Sequence, residues 1–198
     1  ILMTPENAQK CHEGTKTQIR RSIKPQPLGI SWFEHQQGWC ARVREDMGSA
    51  EHPAYVMMPC PYGKVGDRLW VREAWAFPGE EALMYRGNPE DVALYKKWMK
   101  GENYPKITWT PSIHMPRWAC RTVLEITEIR AERLQEISEQ DALAEGVTIK
   151  PDAEIAARVA RETPARMEYW ALWESINGAG SWALNPWVWV LTFRRVKL

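Results

Sequence analysis

The segment Gly14-Thr15-Lys16-Thr17-Gln18-Ile19-Arg20-Arg21 carries three cations and two hydroxyls within eight residues. A lysine ammonium is a compact point charge and an arginine guanidinium a planar, two-pronged donor, so such a segment can hold a phosphate or polarise a carbonyl. The same residues also make an ordinary solvated basic turn, and the pattern alone leaves both readings open. A second group is aromatic: 12 of the 198 residues are tryptophan, against three phenylalanines. Indole joins a large apolar face to a single N–H donor, which suits a core or a platform on which a planar ligand stacks. Trp75 and Trp118 are the candidates for pocket walls, whereas Trp170, Trp173, Trp187 and Trp189 read as core. His114 stands in the proline-flanked loop Pro111-Ser-Ile-His-Met-Pro116-Arg117, the kind of rigid loop that carries function. It could exchange a proton or donate to a ligand, or simply satisfy a backbone carbonyl. Arg117 and Arg72 would reach a phosphate if exposed, with Glu73 and Asp67 as their structural partners.

Other chemistries find less support. The four cysteines, Cys11, Cys40, Cys60 and Cys120, contain no C-x-x-C pair, and His12, His35, His52 and His114 form no i, i+4 pair. Free thiols are expected, with neither a disulfide framework nor a metal centre. Neither a G-x-G-x-x-G fingerprint nor a P-loop occurs, so no nucleotide cofactor is expected, nor any other. With 26 Lys+Arg against 25 Asp+Glu, bulk charge cannot hold the chain to nucleic acid, and any such binding must be local. No apolar run approaches the roughly 18–20 residues a membrane helix needs, and Ile1 to Lys10 do not read as a secretory signal. The expectation is a soluble, cytoplasmic protein of one domain, 1–198, that does not engage membranes.

The elements that must position these residues are legible in part. Thr4 is an N-cap, Pro5 suits a first helical position and Gly14 a left-handed C-cap, so the basic segment leaves a helix end and enters an extended stretch. The glycines and prolines of 28–66 predict short strands and turns. Arg68 to Glu73 reads as a strand, residues 77–111 as an insertion or lid with a short helix near Asp91–Met99, and Trp118 to Ile129 as a second strand. Ser138-Glu139-Gln140-Asp141 resembles a capping box opening a short helix that ends at Gly146. Asp152 to Arg161 favours helix. Thr163-Pro164 opens another, with Tyr169, Leu172, Trp173 and Ile176 on one face, stopped by Gly178. Trp187 to Phe193 is apolar on nearly both faces and belongs inside a sheet. The sum is an α+β fold in which many short strands favour a small barrel.

Taken together, Gly14-x-Lys16-Thr17-x-x-x-Arg21, Gly66-Asp67-x-Leu69-Trp70-Val71 and the helix end Ala144-Glu145-Gly146 resemble the ASCH family of the PUA-like superfamily. Cys60-Pro-Tyr-Gly63, Trp70-Val-Arg-Glu73-x-Trp75, Ser112-Ile-His-Met-Pro116-Arg-Trp118 and Asn185-Pro-Trp-Val-Trp189 are similar to a long form found in bacteriophages and prophages. The resemblance runs from Ile1 to about Arg195 and implies a PUA-like small β-barrel with flanking helices, whose cleft accepts RNA or a modified nucleobase. Lys16, Thr17, Arg20 and Arg21 would then be polar contacts, joined by Trp75, His114, Arg117 and Trp118. Some members of the family are amidohydrolases that deacetylate N4-acetylcytidine with a Lys, a Thr three residues later and a Glu from a helix. Carried over, these fall on Lys16, Ile19 and, at the helix end, Glu145.

Isoleucine has no hydroxyl to attack a carbonyl or orient a water. Thr17 could stand in, but two residues along an extended strand displace it by roughly 6.6 Å. Binding of RNA or a modified nucleobase is therefore the leading expectation. The alternatives are amide hydrolysis on an N4-acylated cytidine by Lys16, Glu145 and Thr17, ribonuclease chemistry using His114, and a phage interaction or morphogenesis role with a protein partner.

Overall fold

The computed structural model describes residues 1–33, 38–42, 55–79, 83–100, 108–151 and 161–197. In chain order its elements are α1 (Pro5–Glu13), β1 (Gln18–Ser22), β2 (Gly29–Phe33), β3 (Gly38–Arg42), β4 (Tyr55–Met57), β5 (Arg68–Trp70), β6 (Trp75–Ala76), β7 (Met84–Tyr85), α2 (Pro89–Met99), β8 (Val123–Arg133), α3 (Glu139–Ala144), α4 (Pro164–Asn177) and β9 (Trp187–Val196). This is a mixed α+β fold with few helices, and its strands pair antiparallel in β1–β9, β2–β3–β4, β5–β8 and β6–β7. The chain divides into two compact units. Among the described residues no helix is long and apolar enough to cross a membrane.

Unit 1 comprises Ile1–Thr17, Gly66–Ile126 and Phe193–Leu198. Helix α1 forms as its sequence predicts: the Thr4 hydroxyl accepts from Asn7 N, Pro5 needs no partner for its nitrogen, and Gly14 takes φ 82° at the exit. Thr15 N and Lys16 N both donate to Lys10 O, at 3.0 and 3.2 Å, turning the chain off the helix end. The strand expected over Arg68 to Glu73 is continuous only to Trp70, where β5 pairs Leu69 with Leu124 of β8; Arg72 lies opposite Leu2 in an isolated bridge. The strand expected at Trp118 begins five residues later, at Val123. Pro116 precedes a short 3-10 turn over Arg117–Ala119, closed by Cys120 N donating to Arg117 O at 3.1 Å, so local turn geometry overrides the alternation there. The region read as an insertion contains β7 and α2, which starts at Pro89 because the Asn88 side chain caps Glu90 N. Residues 80–82 and 101–107 of it lie outside the described residues. A buried cluster of Tyr85, Met115, Ala119, Cys120 and Val123 forms the core here.

Unit 2 comprises Gln18–Val65 and Thr127–Thr192. Within it β1 pairs with β9, placing Arg20 opposite Val190 and Arg21 opposite Trp189. Strand β9 has hydrogen-bonded neighbours on both sides, β1 and β8, and Val188 to Leu191 are buried, as a doubly apolar strand requires. Ser138 caps α3 by accepting from Asp141 N at 3.0 Å, and Gly146 at φ 80° ends that turn. Helix α4 takes its N-terminal acceptor from α3: the Glu139 carboxylate accepts from Ala165 N and Arg166 N at 3.0 and 3.3 Å, a favourable position for a negative charge. Tyr169 and Trp173 of α4 are buried with Leu134, Ile137, Trp182 and Val190. Ile176 departs from the expected stripe and is exposed, and it is not among the residues of this core. The helix expected at 152–161 falls almost wholly outside the described residues.

Candidate ligand-binding cavity

Successive residues of a strand point to opposite faces, and on β1 this separates two neighbouring arginines into different chemistry. Arg20 enters a closed polar network, with a fully buried side chain. Its Nε and Nη2 donate to Glu132 Oε1 at 3.1 and 2.7 Å, Nη2 also to Asp141 Oδ2 at 3.1 Å, and Nη1 to Gln18 Oε1 at 2.6 Å and Glu145 Oε1 at 3.3 Å. Arg130 donates to Glu132 and Asp141 in turn, at 2.9 and 2.8 Å. Burial tends to raise the Asp141 carboxyl, but hydrogen bonds from Gln18 and Arg130 and the charges of Arg20 and Arg130 outweigh it and bring its pKa down to about 2. Tyr169 lies under the Arg20 guanidinium at 5.9 Å. Burial first, and the Glu145 carboxylate second, push its phenol well above the ordinary value. Carboxylates and a buried guanidinium satisfy one another here, and the Arg20 donors are directed into the protein.

Arg21 lines a cavity of about 440 Å³ that is partly open to solvent. Ser22, Ile23 and Lys24 continue the wall along the chain, Met58, Pro59, Pro61 and Tyr62 form another wall, and Asn177 from the end of α4 and Trp189 from β9 complete it. Among the described residues the lining contains two cations and no carboxylate. Trp189 is held by an edge-to-face contact with Trp39, ring centres 6.4 Å apart, while Asn177 is anchored by Nδ2 donating to Trp173 O at 3.0 Å. Burial raises the pKa of the adjacent Cys60 thiol, although a backbone hydrogen bond at Tyr62 opposes it, so this cysteine is not an activated thiolate. The volume matches a nucleoside-sized ligand.

The expected site residues are shared between the two units. Of the basic segment only Arg21 lines this cavity. Lys16, 2% exposed, and Thr17, whose carbonyl accepts from Phe193 N at 2.9 Å, belong to unit 1, and Glu145, 3% exposed, to the network of unit 2. Trp75, His114, Arg117 and Trp118 fall in unit 1, where His114, Arg117 and Trp118 are exposed and Trp75 half-buried. Glu73 is the partner of Arg121, not of Arg72 or Arg117. Two hydrogen bonds of 2.9 Å join them, and the guanidinium stacks 4.2 Å from the Tyr85 ring centre. Burial leads the rise of the Tyr85 phenol to about 12, although the Arg121 charge opposes it. Lys24, Tyr62 and Asn177 were absent from the sequence-level candidates; the Cys60-Pro-Tyr-Gly63 motif was the signal that pointed to Tyr62. Among the described residues no group of three or more His, Cys, Asp or Glu could hold a metal ion.

No family model, no curated protein and no solved structure matches this chain.

Proposed function

We propose that this protein binds RNA or a modified nucleobase through the cavity lined by Arg21, in a domain of the PUA-like, ASCH type. The observation that carries the reading is a nucleoside-sized hollow with Arg21 and Lys24 in its walls and, among the described residues, no carboxylate in its lining. Such a hollow favours an anion. The guanidinium and ammonium hold a phosphate, the Tyr62 ring offers a face to a base, and Ser22 and Asn177 supply hydrogen-bonding groups for a polar edge. The motif resemblance supports the reading independently, because Arg21 and Cys60-Pro-Tyr-Gly63 belong to it. The antiparallel sheets, with β9 enclosed by strands on both sides, are compatible with a small barrel. Binding stands ahead of amide hydrolysis because Ile19 brings no hydroxyl and Glu145 accepts from the buried Arg20.

The test is a titration of a labelled oligoribonucleotide into the wild-type protein and the Arg21→Ala/Lys24→Ala double variant at several salt concentrations. The double variant should bind more weakly, and the slope of log K against log salt should shrink by roughly 0.7 for each phosphate that is no longer neutralised. Equal affinity and equal slope would refute the assignment.

A further inference from the structure

Within unit 2, β4 is an edge of the sheet β2–β3–β4. Among the described residues it pairs with β3 alone, and Tyr55, Val56 and Met57 are 39%, 49% and 48% exposed. The register shows which backbone groups are spare. Met58 N donates to Trp39 O at 2.8 Å, so Met58 and Val56 are the hydrogen-bonded partners of Trp39 and Ala41, while Tyr55 and Met57 turn N–H and C=O away from β3. The side chains agree with this alternation: Cys40 and Met57 form a close, non-hydrogen-bonded pair, with Cys40 Sγ 3.3 Å from Met57 Sδ. An outward row of amides and carbonyls is a template for another strand, and edges are commonly guarded by Lys or Pro. Within β4 neither occurs, and between His52 and Lys64 the sequence carries no charged side chain.

The strand is complementary to itself. When a second β4 is laid antiparallel to it about a two-fold axis through Val56, Tyr55 faces Met57 of the second copy and Met57 faces its Tyr55. Each such pair exchanges its outward hydrogen bonds and sets a ring against a thioether, a favourable contact. The Tyr55 ring is positioned beforehand, edge to face with Phe33 at 5.1 Å, which lowers the entropy lost on association. Val56 meets its own counterpart across the axis as a close apolar pair.

Charge does not oppose this arrangement. Arg42, the one charged residue of β2 and β3, lies beside Tyr55, and its row continues into Met57 and Cys40 of the second copy, so the two arginines stand in different rows. An unlike partner would have to present a neutral, apolar strand in this same register, whereas a second copy brings one by symmetry. We infer that the protein forms a two-fold dimer through β4, joining two three-stranded sheets into one.

The experiment is sedimentation velocity on the full chain from about 1 to 100 μM, the range suited to a small interface. The average mass of the wild type should rise from that of one chain towards that of two. Val56→Lys sets like charges against each other across the axis and should weaken dimerisation by about tenfold or more. An equimolar mixture of Val56→Lys and Val56→Glu should restore the dimer, because residue 56 then faces its opposite charge. Val56 is exposed, so thermal midpoints should stay near wild type. Val56→Cys adds no charge and should oxidise to a dimer whose disulfide maps to position 56, a product the wild-type thiols cannot give; should Val56→Lys fail to fold, this linkage decides alone. A wild type that stays monomeric throughout overturns the proposal, whatever other strand the edge then accepts. So does a dimer that Val56→Lys leaves intact, that the charge mixture does not rescue, or that Val56→Cys does not link at position 56.

Discussion

The two faces of β1 carry the same side chain to opposite ends. On one face Arg20 is fully buried and meets Glu132, Asp141 and Glu145. On the other, one residue along, Arg21 lines an open cavity whose lining, among the described residues, holds no carboxylate. A guanidinium taken from water must recover its hydration from fixed acceptors, so Arg20 with its three carboxylates is a component of the fold. A guanidinium at the wall of a hollow stands within reach of an incoming anion. Along β1 the cationic motif therefore divides by strand parity into a network-bound and a cavity-lining member, and counting its charges overstates the number that reach the cavity.

The division can be broken most forcefully at Arg20. Arg20→Ala removes the buried guanidinium shared by Glu132, Asp141 and Glu145, leaving Arg130 on the first two, and should cost about 3–5 kcal/mol of unfolding free energy, measured by chemical denaturation. Arg21→Ala should cost distinctly less than Arg20→Ala; similar destabilisation in both variants would erase the distinction. Next in size, Tyr62→Ala should weaken oligoribonucleotide binding by about 1–3 kcal/mol, the worth of one base stack, with the denaturation midpoint unchanged. A smaller effect sharpens the account of the network face. Asp141 has a folded pKa of about 2 against an ordinary 3.8, so between these values the unfolded chain binds more protons than the folded one. Stability contributed by Asp141 is present above about pH 4 and lost as pH falls through about 2. Asp141→Asn should flatten that part of the acid limb, read as the thermal midpoint from about pH 5 to about pH 2. A change of similar size is expected at the alkaline end: Tyr85, with a folded pKa of about 12 against 10, loses its contribution to stability as pH rises from 10 to 12, and Tyr85→Phe should make that decline shallower.

Where the sequence carried a local cause, the structure followed it. Thr4, Pro5 and Gly14 bound α1 as capping chemistry requires, Ser138 caps α3, and the doubly apolar Trp187 to Phe193 lies between two strands. Misreadings arose at Trp118, where a local turn competed with a pattern, and at Ile176, in the last turn of α4. The site was less legible because cavities are assembled from residues remote in sequence: Asn177 stands 156 positions after Arg21 and no spacing rule joins them. Strand parity could have separated Arg20 from Arg21, but which face would be closed depended on Glu132, Asp141 and Glu145, supplied by later elements.

The most direct measurement is photocrosslinking with an oligoribonucleotide carrying 4-thiouridine, followed by mapping of the modified peptides by mass spectrometry. Occupation of the cavity should place crosslinks within Met58 to Tyr62, and these should disappear in the Arg21→Ala/Lys24→Ala variant. Crosslinks confined to other segments, or undiminished by that double substitution, would contradict a ligand site on the Arg21 face of β1.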